Sequence, residues 1–196
     1  MKTLNKMKTK EEQIEIISTV INSTKENLKP LSVNFIFWGI LIVVMSLIHY
    51  SLPQYIQYTE YSSLLFWTIL PILGIIYTVV YNIKIRKVIG YETYLNRVIK
   101  IIWGIFNLSW LVIIVVSLNG VNNPVPEILF LLSTTLITTG IIIKFKPIVI
   151  GGILLMLFTV YINFNPNINF FIVNIIGVSL GMLIPGISLY ISKVDE

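Results

Sequence analysis

SSLLFWTILPILGIIYTVVYNIKIRKVIGYETYLNRVIKIIWGIFNLSWLVIIVVSL, residues 62–118, decides the fold. It holds two uncharged apolar runs, each close to the roughly 20 residues that a helix needs to cross a bilayer. Between them lie Lys84, Arg86, Lys87, Arg97 and Lys100. A soluble helix keeps a polar stripe along its length, whereas a lipid-facing helix is apolar all round. The stretch therefore reads as two membrane spans joined by a basic connection.

The same alternation continues outward in both directions. Spans are expected at 31–50, 62–83, 101–118, 127–143, 147–163 and 169–191. All fourteen Lys and Arg fall in four groups. Lys2, Lys6, Lys8, Lys10, Lys25 and Lys29 precede span one; the basic connection follows span two; Lys144 and Lys146 follow span four; Lys193 follows span six. The gaps around 52–61, 120–126 and 164–168 hold none. Cytoplasmic loops collect Lys and Arg, so both termini are expected in the cytoplasm of a bacterial inner-membrane protein. The expected fold is all-α: a six-helix transmembrane bundle over 31–192, preceded by a cytoplasmic segment 1–30 and followed by a tail 193–196.

Composition agrees. Hydrophobic residues are 56%, charged residues 12% and mean hydropathy is +0.86, outside the range of soluble domains. The net charge of +5 follows from the bias toward one membrane face, with attraction to anionic lipid headgroups second. Membrane lipids are the expected partners, and nucleic acid is not. The chain has no Cys and one His, too few ligands for a protein-built zinc site, and no cofactor is expected. No apolar stretch begins before about Val33 and there is no Ala for an A-x-A cleavage site, so no cleaved signal peptide is expected.

Within 1–30, Thr9 and Glu12 have the spacing of a capping box. Ile14, Ile17 and Ile21 recur at helical spacing, which predicts an amphipathic helix over 10–28, before Pro30. Such a helix lies on a leaflet or presents a docking face. With Arg86, Lys87, Arg97 and Lys100 it forms the candidate surface for a lipid or protein partner. The helices flanking 84–100 are expected to run past the membrane and break near Gly90.

Glycines recur in a pattern. Gly39, Gly104 and Gly152 mark the odd spans, and Gly74, Gly140 and Gly186 mark the even ones; each is followed by Ile. The two marks are 35, 36 and 34 residues apart within the segments 31–83, 101–143 and 147–191. This reads as three repeated helical hairpins inserted in the same direction, with the marked glycines at corresponding close contacts. Gly177 and Gly181 add a G-x-x-x-G pair, expected to pack span six inside the bundle.

No charge lies in the middle of any span, which argues against an ion-coupled pump. His49 is expected at the outer interface beside Tyr50, and Glu127 at the start of span four, where the helix dipole favours it. Tyr55, Tyr58, Tyr61 and Trp67 extend an outer aromatic belt, with Trp38, Tyr81 and Trp103 at the inner interface. Asn107, Thr135, Thr139 and Asn174 form a candidate polar seam, although hydroxyls in a helix can bond their own preceding turn. No catalytic motif occurs, and no enzyme activity is expected.

Several stretches carry a resemblance. The polar start before Phe37-Trp38-Gly39, the junction Phe145-Lys146-Pro147-Ile148-Val149-Ile150-Gly151-Gly152, and Leu183-Ile184-Pro185-Gly186 resemble a group of small bacterial six-span membrane proteins with no established activity. The resemblance implies topology and a bacterial inner membrane, and transfers no functional residue. The leading functional expectation is a non-catalytic accessory or regulatory component that binds a partner or lipid at its cytoplasmic face. The alternative is a small-molecule transporter or channel. A transporter needs a cavity reaching the midplane, whereas an accessory protein can be a closed bundle with no continuous polar path.

Overall fold

The computed structural model describes residues 28–59, 61–89, 93–117, 124–165 and 167–192, without the side chains of 86, 88 and 89. Ile14, Ile17 and Ile21 with their amphipathic helix, the break near Gly90, the Arg86 side chain and the tail 193–196 lie outside the described residues. What is described is helical. Six helices are long and apolar enough to cross a membrane: Lys29–Ser51, Ser62–Ile85, Tyr94–Ser117, Val125–Ile142, Lys146–Phe164 and Phe170–Ser192, here spans one to six. The second helix continues to Ile89, and a short helix, Pro53–Ile56, follows span one.

Local chemistry explains the boundaries. Spans one, four and five open with Pro in their first turn, where a missing N–H costs nothing. Span six opens on Asn169, whose side chain accepts from the backbone of Phe171 and Ile172. Spans four and five join through Lys144 at φ 57, and Phe145 N donates back to Gly140 O at 2.9 Å. That left-handed residue reverses the chain within a few positions.

Consecutive spans run in alternating directions. At one end, Asn34 of span one bonds Asn82 of span two at 3.2 Å, and Lys29 Nζ lies 5.4 Å from the Tyr190 ring of span six. At the other, Trp67 of span two bonds His49 of span one at 2.9 Å, and His49 stacks on Phe171 of span six at 4.1 Å. The first is the basic end.

The spans form a ring that does not close. Span one packs on spans two and six, span six on five, five most extensively on four, and four on three. Spans two and three do not pack closely on one another. Only 11% of each is buried, against 33–44% of the other four, so these two form the lips of an opening. The core is Phe35, Met45, Leu136, Ile148, Leu155, Met182 and Leu189.

Span six is not uniform. Residues Ser179–Leu183 wind as a π-helix, and Ile184 N donates to Ser179 O, five residues back. Pro185 follows and has no N–H to give the Gly181 carbonyl. Gly151 of span five covers these carbonyls: a Cβ placed there would lie 2.8 Å from Gly181 O and 3.0 Å from Leu180 O. Gly177 and Gly181 face Leu155 of span five, an internal contact.

The six marked glycines do not behave alike. Gly39 and Gly186 lie where spans one and six meet, and Gly140 and Gly152 where spans four and five meet. Gly74 faces Trp38 and Leu41 of span one. Gly104 departs from the packing expectation: a Cβ there would meet nothing within 4 Å, because span two stands away from it.

Candidate functional site

A cavity of about 570 Å³ lies inside the open ring, within the range of small-molecule sites. Five spans line it, each with one helical face. Span two contributes Ser63, Trp67, Thr68, Pro71 and Ile75, and span three Trp103, Phe106, Asn107, Trp110 and Ile114. Spans one and six add Trp38, His49, Phe170, Phe171, Asn174 and Met182, and span four closes the far wall with Ile128 and Leu132. No Asp, Glu, Lys or Arg is among the lining residues.

All four tryptophans of the chain line this one space. Trp38, Trp67 and Trp103, expected at the membrane interfaces, all border the cavity. Trp38 Nε1 donates to Thr78 Oγ1 at 3.0 Å, and Trp103 sits between Phe35 and Phe106 at 5.4 and 5.3 Å. A hydropathy profile cannot tell a ring at the headgroup level from one turned inward. Tyr50, Tyr55, Tyr58 and Tyr61 are exposed.

His49, in the last turn of span one, is also turned inward. It is 2% exposed, deep in the non-basic mouth of the cavity. Trp67 Nε1 donates to its Nδ1 at 2.9 Å, so the neutral ring carries its proton on Nε2. That nitrogen faces the Gln57 carboxamide at 3.0 Å, which pairs with it when turned to present its oxygen. Phe66, Trp67 and Phe171 surround the ring. The short helix Pro53–Ile56 brings Gln57 back over span one, a tertiary return that sequence spacing does not reveal.

The candidate polar seam divides. Asn107 and Asn174 reach the cavity; Thr135 and Thr139 do not. Thr135 bonds Leu131 O at 2.8 Å and Thr139 bonds Thr135 O at 2.7 Å, and Ser133, Thr134 and Thr138 likewise bond their own helix. Asn107 bonds Trp103 O at 2.7 Å. Two of the lining residues each carry an enclosed polar atom without a hydrogen-bond partner, Trp103 Nε1 and Thr68 Oγ1.

A second cavity of about 140 Å³ adjoins toward the basic end, lined by Asn34, Thr78, Asn82, Asn96 and Lys100. The two share Trp38, Ile75, Trp103, Asn107 and Met182 as a common wall. Of the candidate partner surface, Lys87, Arg97 and Lys100 are exposed, and only Lys100 also borders a cavity. Among the described residues no group of three His, Asp or Glu could hold a metal ion.

The fold is consistent with an integral membrane protein: among the described residues, six helices are apolar enough to cross a membrane, with a cavity among them. No protein-family model, curated protein or solved structure matches the chain.

Proposed function

We propose that this chain is a non-catalytic membrane component that binds a small uncharged molecule inside the bilayer. The observation that carries this is the cavity of about 570 Å³ walled by all four tryptophans and by no charged side chain. A charged ligand would meet no counter-ion there, and desolvating it would cost several kcal/mol. Aromatic walls favour an apolar body by area and by stacking. This interior site is additional to the binding role expected for the cytoplasmic face. The basic end faces the cytoplasm of a bacterial inner membrane, with both termini on that side, and its Lys and Arg meet anionic headgroups or a protein partner.

The tryptophans make the test direct. Protein in nanodiscs is titrated with a short doxyl-labelled alkane, a lipid-soluble quencher. Saturable quenching, displaced by unlabelled competitors, supports an interior site. Quenching that only tracks the quencher's concentration in the bilayer, as for a lipid-exposed tryptophan peptide, refutes it.

A second reading rests on the two cavities in series, which run from His49 to Lys100 with a shared wall at Trp38, Trp103 and Asn107. That arrangement suits passage of a neutral solute. Flux of a small polyol through proteoliposomes, blocked by Asn107→Phe, supports passage; background flux removes it.

A further inference from the structure

Asparagines on these helices have a local way to satisfy themselves. Asn107 and Asn163 each turn back and donate to the carbonyl four residues earlier, Trp103 O at 2.7 Å and Thr159 O at 3.0 Å. Asn34 and Asn82 pair with one another across spans one and two at 3.2 Å. Asn174 of span six does neither. It is only 7% exposed, yet its carboxamide has no hydrogen-bond partner among the described residues. Its polar atoms are not enclosed either. It lines the cavity, on one helical stripe with Phe170, Phe171, Val178 and Met182.

Span three holds a parallel case. The indole N–H groups of Trp38 and Trp67 are spent on Thr78 and His49 at 3.0 and 2.9 Å, and that of Trp103 is enclosed. Trp110 differs from all three. It is 8% exposed and lines the cavity, and its Nε1 is neither enclosed nor paired among the described residues. Asn174 lies about one turn inward from Phe171, the residue that stacks on His49 at 4.1 Å. Trp110 lies about two turns inward from Ser117, where span three ends. Both therefore stand in the half of the cavity toward its non-basic mouth, among apolar neighbours such as Ile114, Ile128 and Leu129.

We propose that Asn174 and Trp110 form the polar subsite of this cavity and select a neutral molecule with an apolar body and a hydroxyl group. The indole N–H can only donate, so it takes a lone pair of the ligand oxygen. The Asn174 carboxamide oxygen accepts the hydroxyl hydrogen. One hydroxyl thus gains two bonds that neither side chain makes within the protein. A ketone or ether oxygen brings no hydrogen and leaves the carboxamide oxygen unmatched. An ammonium would lose its hydration against a wall that holds no Asp or Glu. This inference rests on the interior binding reading above and adds to it the ligand class and the two residues that choose it.

The test uses the full chain in nanodiscs. The probe is 1-phenyldecan-1-ol, with 1-phenyldecan-1-one and decylbenzene as matched controls, compared at equal concentration in the bilayer. Binding is read by displacement of the doxyl quencher, titrated separately on each variant. The alcohol should bind more tightly than decylbenzene by about five-fold or more, with the ketone between them. Asn174→Leu and Trp110→Phe should each weaken the alcohol about five-fold, one neutral hydrogen bond, and leave decylbenzene unchanged. Should Asn174→Leu fail to fold, Trp110→Phe decides by itself.

An alcohol that binds no better than decylbenzene overturns the subsite, and a ketone that equals the alcohol overturns the hydroxyl assignment. Equal losses for alcohol and decylbenzene in the variants show that these residues only shape the wall, and also overturn it. In each of those outcomes the interior site still stands. If none of the three compounds displaces the quencher from the unaltered protein, the interior binding reading itself fails.

Discussion

Replacing Gly152 by Ala, with Gly104 by Ala as its partner, separates packing from helix propensity. Both glycines lie inside spans, so both substitutions gain the same backbone preference, up to about 1 kcal/mol. They differ in what the new methyl meets. At Gly152 it would lie 2.7 Å from Ile137 Cγ1, 2.9 Å from Ile137 N and 3.0 Å from Ser133 O. Two of those atoms are backbone and cannot swing aside. Spans four and five must part by a few tenths of an ångström along the most extensive helix pair of the bundle. At Gly104 the methyl meets nothing within 4 Å. Forcing a methylene into a packed interior costs about 1–3 kcal/mol, so Gly152→Ala should be less stable than Gly104→Ala by about that amount. Without a hydrophobic drive between helices in lipid, close packing carries a larger share of association, which favours the upper half of the range. Equilibrium unfolding in mixed micelles of rising dodecyl sulfate, followed by tryptophan emission and helical circular dichroism, reads the difference. Equal midpoints for the two variants would refute the argument that these glycines are distinguished by contact.

Two further outcomes follow from the same geometry. His49→Phe keeps a ring against Phe171 but leaves the Trp67 N–H without its acceptor; it should destabilise the protein by about 1–3 kcal/mol, and an unchanged unfolding midpoint would show that the buried pair contributes nothing. Cysteines at Gln57, Asn122 and Asn167 should react with an impermeant thiol reagent from outside the cell, and labelling from the cytoplasmic side would invert the topology.

The expected spans lie within a few residues of the observed helices, apart from the ends of the basic connection. The reason is physical: in lipid every backbone amide must be satisfied within its own helix, so an apolar run of sufficient length has one solution. The back-bonding of the span-four hydroxyls was legible for the same local reason. The glycine marks were legible as positions but not as contacts. Sequence placed six of them in three hairpins, and the structure uses four of them to join one segment to the next.

What sequence alone determined was class, span number and the sorting of charge, because each depends on chain-local hydropathy. Tertiary structure decided the rest. It turned Trp38, Trp67 and Trp103 inward, buried His49 under Gln57, and split Asn107 and Asn174 from Thr135 and Thr139. Rotation of an apolar helix about its own axis changes which side chains face a cavity and which face lipid, yet leaves its hydropathy untouched. Spans two and three read like the others along the chain. That the ring stays open between them, and encloses a cavity, emerges only when six helices compete for the same neighbours.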